Sequence, residues 1–280
     1  MKKTMAKILA AVLACVLIFT LTSCSSTSGK LKSIQKAGKL VVYTDPNFPP
    51  FEFQGANGVE GVDIEIANAI AQSLGVTATF QQTDFDSILM ALKGGKGDIS
   101  VSGFTITDER KQSVDFSDPY IDSVQYLILP QDSSVNVMED LAGKTVGVAL
   151  GYTGQILMTD VTSSTDPDTG NPGVLYSANT QVKAYDSAMD AALDLEAGRI
   201  DAVVMDEYVA KNIVSQNSGL QAKELTYANG SVADEESYGV AVPKGNQDLV
   251  DQINSVIADL TSSGQIQQWM VQYAQESPAQ

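Results

Sequence analysis

A strand–helix alternation that runs through the chain twice constrains its fold more than any other feature. Residues 39–44 read as a first β-strand, and the proline-stiffened loop Asp45-Pro46-Asn47-Phe48-Pro49-Pro50-Phe51 leaves its C-terminal end. Val62, Ile66, Ile70 and Leu74 recur every four residues, the mark of a helix with one buried face, and Gly75 stands where helices end. Residues 76–81 read as a strand. Phe85, Ile88, Leu89 and Leu92 make a helix that stops at Gly94-Gly95, and residues 98–101 form the next strand. The pattern restarts near Leu141, with a strand over 144–149 and a helix opened by Gly151-Tyr152-Thr153-Gly154. A short strand follows over 182–184, then a helix with Ala188, Ala192 and Leu195, capped by Asp186 and ended by Gly198. A strand over 200–205 runs into Asp206, another spans 238–243, and Leu249, Ile253, Ile257 and Leu260 form an amphipathic C-terminal helix. Such alternation predicts an α/β protein with largely parallel sheets. Two similar halves joined by extended segments suggest two lobes around a cleft, with hinges at 120–130 and 236–243. The pattern also fits one larger α/β domain.

The 280 residues suffice for either arrangement. There is no histidine, which removes histidine metal sites, Ser-His-Asp triads and Cys-His dyads. A net charge of −17 argues against binding nucleic acid, whose backbone needs a basic surface. At the N-terminus Met1-Lys2-Lys3 precedes an apolar run over 8–21, the pattern of an export signal too short for a membrane span. Leu21-Thr22-Ser23-Cys24 looks like a bacterial lipobox. In that reading residues 1–23 are a signal peptide, Cys24 is lipidated, and residues 24–35 tether the domain to the membrane surface. Cys15 leaves with the signal, so no disulfide is expected.

Arg110 is the leading candidate for chemistry. It follows a strand and the small residues Ser102, Gly103 and Thr105. Its planar fork matches a carboxylate bidentately, and small residues let backbone N–H groups approach the same anion. The competing reading pairs Arg110 with Asp108, Glu109 or Asp115 at the surface. Thr153 opens a helix, where N–H groups favour an anion or simply a cap. Asp206 ends a strand and fits a helix N-cap. Phe51 fits the core. Two nucleotide-like stretches fail. Gly143-Lys144-Thr145 lacks the upstream glycine of a P-loop, and Gly94-Gly95-Lys96-Gly97 lacks the hydroxyl residue after its lysine. The acidic segment 159–174 faintly resembles a calcium loop through Asp166-Pro167-Asp168 but lacks the terminal glutamate, so a solvated loop is the simpler reading.

Several motifs occur in one order: Asp-x-x-Phe-Pro-Pro-Phe, Gly-Val-Asp-Ile-Glu-Ile, the Arg110 block, Asp-Phe-Ser-Asp-Pro-Tyr, Leu-Ala-Gly-Lys, the Asp206 block and Tyr-Gly-Val-Ala-Val-Pro-Lys-Gly. In them residues 36–275 resemble the family 3 extracellular solute-binding proteins, the polar amino-acid receptors of ABC importers. The resemblance implies a type II periplasmic-binding-protein fold, with lobe 1 at 36–124 plus 238–280 and lobe 2 at 125–237. It implies that Arg110, with Ser102, Gly103, Thr105 and Thr153, binds the ligand's α-carboxylate, and that Asp206 binds its α-ammonium. Asp45, Phe48 and Phe85 would shape the side-chain pocket, favouring a polar or cationic amino acid. Gly103 departs from the family, where serine is frequent. The implied partners are a permease and its ATPase, with no nucleic acid, cofactor or metal and no catalytic residue. A dehydratase of the same fold would need a positioned general acid in the cleft. A ligand sensor would need a signalling segment.

Overall fold

The computed structural model describes residues 29–167 and 169–277; the proposed signal peptide, Cys24 and Asp168 lie outside them. Helix α1, Lys30–Ala37, leads into strand β1, Lys39–Thr44. Strands β2 (Asn47–Phe48), β3 (Glu52–Gly55) and β4 (Gly58–Glu60) make a small antiparallel sheet out of the proline loop. Helix α2 (Val62–Ser73), strand β5 (Thr77–Gln82), helix α3 (Phe85–Lys93) and strand β6 (Ile99–Ser100) follow, then the single turn α4 (Asp108–Lys111) and strand β7 (Val114–Phe116). The chain next enters β8 (Ile121–Pro130), β9 (Thr145–Ala149), α5 (Thr153–Thr162), β10 (Gln181–Tyr185) and α6 (Ala188–Glu196). It continues through β11 (Ala202–Asp206), α7 (Glu207–Ser215) and β12 (Leu220–Glu224), and closes with β13 (Glu235–Tyr238), β14 (Ala241–Pro243), α8 (Gln247–Ser262) and α9 (Gln265–Glu276).

Besides that small sheet the elements build two larger ones, one per lobe. The first runs β5-β1-β6-β14-β7, with β5, β1 and β6 parallel and β14 antiparallel to both neighbours. The second runs β10-β9-β11-β8-β12, with β10, β9 and β11 parallel. Parallel sheets need crossover helices that cover their faces, and the apolar stripes read from the sequence supply them. Val62, Ile66, Ile70 and Leu74 are all buried, as are Leu249, Ile253 and Ile257. Each such side chain contributes about 1.5–3 kcal/mol on burial. Helix α6 is capped by Ser187, whose hydroxyl accepts the Asp190 N–H, and not by Asp186 as expected. Serine at this position presents its oxygen to the first-turn amides.

The lobes are joined by one ribbon of two strands. The first half of β8 pairs with β13, Ile121 opposite Tyr238 and Ser123 opposite Glu236. Its second half pairs with β11 and β12, placing Gln125 opposite Asp206. The two segments read as hinges are therefore neighbours, and Gln125, Glu236 and Tyr238 on them are buried. In the acidic segment, the Asp166 carboxylate accepts the Thr169 N–H, and the backbone N–H of Asp166 donates to Asn171. These bonds close a local turn.

Candidate ligand-binding cleft

The loop after β6 carries Ser102, Gly103 and Thr105, and α4 then brings Arg110 back over it. Thr107 caps that turn by accepting the Arg110 N–H. The guanidinium is buried, at 7% exposure. Nη1 donates to the Thr105 carbonyl at 2.9 Å, and Nη2 reaches across the cleft to the Gly151 carbonyl at 3.0 Å. Its central carbon lies 5.4 Å from the Phe85 ring centre and 5.3 Å from that of Phe104. Two of the acids that might have claimed it are engaged elsewhere: Asp115 pairs with Lys244 and Asp108 with Lys111. Among the described residues Arg110 belongs to no ion pair. Burial pulls its pKa down, and the charges of Glu236 and Asp206 oppose that. A buried guanidinium whose hydrogen bonds are to neutral carbonyls still has capacity for an anion.

Ser102 and Gly103 are tied inward. The Ser102 hydroxyl donates to Glu52 at 2.8 Å and accepts the Asp45 N–H, while the Gly103 N–H donates to Asp63 at 2.7 Å. Asp63 also accepts the Tyr120 hydroxyl. Burial raises the Asp63 pKa to about 6, and burial with the charge of Asp63 pushes Glu52 well above the usual range. Gly103 has φ +56°, and a Cβ there would meet the Phe48 ring at 2.3 Å. A serine side chain cannot be accommodated there in this packing.

On the other lobe, Asp206 ends β11 and is 1% exposed. It does not cap α7 with its side chain. Gln125 Nε2 donates to one oxygen at 2.7 Å and the Tyr238 hydroxyl to the other at 2.6 Å. Thr153 opens α5, and its hydroxyl donates to Glu236 in a short hydrogen bond. Gln125 Nε2 also approaches the Thr153 hydroxyl, at 3.4 Å. Burial raises the pKa of Asp206, and burial plus the charge of Asp206 raises that of Glu236.

Aromatic rings line the seam between the lobes. Tyr152 of the second lobe stacks on Phe85 at 4.1 Å and lies 5.5 Å from Phe48. Phe51, expected in the core, is fully buried and meets Tyr208 and Tyr238 edge-on. Asp45 is buried beside them, its carboxylate accepting Asn47 Nδ2 at 2.6 Å and the Phe85 N–H at 3.1 Å. Burial lifts its pKa to about 6 against those bonds. A pocket of about 290 Å³ opens beside Arg110, between Asp86 and Glu109 of one lobe and Gly151 and Ile156 of the other.

The structure thus gathers Thr105, Arg110, Thr153 and Asp206 around one seam, with Phe48 and Phe85 beside it. It directs Ser102, Gly103 and Asp45 into contacts within the first lobe. Glu236, Gln125, Tyr152 and Tyr238 were not among the residues singled out from the sequence. Glu236 and Gln125 lie in the segments read as hinges, and polar residues inside an apolar hinge strand were the available signal.

The chain matches the family described as bacterial extracellular solute-binding proteins, family 3, over residues 40–276. It belongs to that family. It is 32% identical over 242 residues to the L-cystine-binding protein of Escherichia coli K12, covering 85% of this chain and 84% of that one. It is 30% identical over 263 residues to the arginine-binding extracellular protein of Bacillus subtilis 168, covering 94% and 96%. Among solved structures it resembles an amino acid ABC transporter substrate-binding protein from Streptococcus pneumoniae bound to L-arginine. That match has a TM-score of 0.79 and 30% identity, over 90% of this chain and 100% of the other.

Proposed function

We propose that the protein captures a free amino acid between its lobes and delivers it to the permease of an ABC importer, whose ATPase supplies the energy. The observation that carries this reading is the pairing across the seam: a buried arginine outside any ion pair on one lobe and a buried, hydrogen-bonded aspartate on the other. An arginine and an aspartate so placed recognise the carboxylate and ammonium of a zwitterion. Because the groups come from different lobes, the ligand itself would stabilise the closed state.

In this reading Arg110, Thr105 and Thr153 hold the α-carboxylate and Asp206 the α-ammonium, with Ser102 and Gly103 shaping the loop behind them. Asp45, Phe48 and Phe85 face the side chain, which is polar or cationic; aromatic rings and a carboxylate favour a guanidinium or ammonium there. L-Arginine is the first ligand to test, since relatives and structural neighbours are named for it. Lobe 1 comprises 36–124 and 238–280, and lobe 2 comprises 125–237. The protein acts outside the cytoplasm, held to the membrane by lipid on Cys24, and it binds its ligand without turning it over. Mass spectrometry of the small molecule retained on purification is expected to show an amino acid. Recovery of a ligand lacking either a carboxylate or an ammonium would count against the reading.

A further inference from the structure

Glu236 stands on β13, opposite Ser123 of β8, and is 3% exposed. One carboxyl oxygen accepts the Thr153 hydroxyl from the second lobe and, at 3.4 Å, the Thr105 hydroxyl from the first. The Arg110 charge faces it. The other oxygen has no N–H or O–H donor against it among the described residues, and the Asp206 carboxyl is a side-chain hydrogen-bonding neighbour of Glu236. Two carboxyls in that position are satisfied only when one of them holds a proton. A protonated Glu236 therefore presents an acceptor oxygen to the hydroxyls and the arginine, and a donor hydrogen to the aspartate. An amino acid's main chain would present the same pattern to the same groups.

We propose that Glu236 is a residue of the ligand site that acts as an internal stand-in: its carboxyl takes the main-chain position in the closed cleft, bridges the lobes, and swings out before an amino acid is clamped. The identity of the displaced ligand rests on the function proposed above; the bridging of the lobes does not. The charged and titratable groups facing Glu236 are Arg110 from the first lobe, Asp206 from β11, and Asp234 and Tyr238 along its own segment. The acids outnumber the single cation, so the stand-in needs its proton. Self-closure is complete where Glu236 is protonated and is lost as pH rises through its raised value, when Glu236 and Asp206 become facing anions.

The test is single-molecule energy transfer between dyes on the two lobes, without amino acid, from pH 5 to 8.5, for wild type, Glu236→Gln and Glu236→Ala. L-Arginine titrations on the same three proteins accompany it. The wild type should lose closed population as pH rises. Glu236→Gln, whose amide offers donor and acceptor at every pH, should stay closed throughout. Glu236→Ala should be open and bind arginine about tenfold tighter if nine in ten wild-type molecules are self-closed. An alanine variant as closed as wild type, or a glutamine variant that follows the wild-type pH curve, would overturn the proposal. So would an alanine variant that binds arginine more weakly at unchanged closure, which would make Glu236 an ordinary ligand contact. If alanine fails to fold by circular dichroism, the pH response of the glutamine variant decides alone. The expected closure pattern with no arginine bound by any of the three proteins would count against arginine as the ligand of the proposed function and leave the stand-in intact.

Discussion

Arg110 shows how a residue's partners define its role. Its fork donates to two carbonyls, one in each lobe, while Asp108 and Asp115 nearby pair with lysines. Removing one partner of a buried charge pair typically costs 2–5 kcal/mol. Arg110→Ala should therefore weaken amino-acid binding by roughly 30-fold to several thousand-fold in titration calorimetry, at that cost per pair. Arg110→Lys keeps the charge but loses the planar fork and should still lose at least about tenfold; full retention of affinity would show that charge, not geometry, matters. Gly103 makes a separate case. Its backbone lies at φ +56° with Phe48 packed where a Cβ would sit. Gly103→Ser should cost about 1–2 kcal/mol for the left-handed backbone and about 1–3 kcal/mol more for overpacking. Thermal unfolding should then come several degrees earlier, at roughly 2–4 °C per kcal/mol for a chain of this size. An unchanged midpoint would mean that the loop repacks at no cost.

At the scale of the element, the loop after β6 is held by two buried acids, Glu52 on β3 and Asp63 at the start of α2. Their protons matter to the fold. Asp63 and Asp45 are each raised to about 6, so their ionisation opposes folding. The stabilisation they give when protonated is full below the ordinary value near 4 and is lost as pH rises through about 6. Asp194 and Asp115 are lowered and work in the opposite sense, but their exposure to solvent weakens them. The melting temperature should therefore be higher at pH 5 than at pH 7.5. Asp63→Asn should flatten that dependence. A profile that falls steadily below pH 6 in both proteins would contradict the assignment. The ribbon of β8 and β13 is the other element that matters, because it places Gln125, Glu236 and Tyr238 under both halves of the site.

At the scale of the whole molecule, apolar periodicity and helix-ending glycines made the alternating strands and helices legible, because both are local effects. The lobed arrangement became legible through motif order. Arg110 and Asp206 were marked by their motifs. The partners that give them meaning were not, because strand pairing sets residues distant in sequence side by side. Nothing local to Glu236 reveals Thr105 and Thr153, and nothing local to Asp206 distinguishes a helix cap from a bond to Tyr238. Nothing local to Ser102 reveals that Glu52 accepts its hydroxyl. If Arg110 and Asp206 act as a clamp, both lobes must contribute for an amino acid to be held. Isothermal titration of the purified protein with each common amino acid, repeated on Arg110→Ala and Asp206→Asn, tests it most directly. Saturable one-to-one binding of at least one polar or cationic amino acid is expected, with heat strongly reduced in both variants. No heat for any amino acid, or binding that neither substitution weakens, would contradict it.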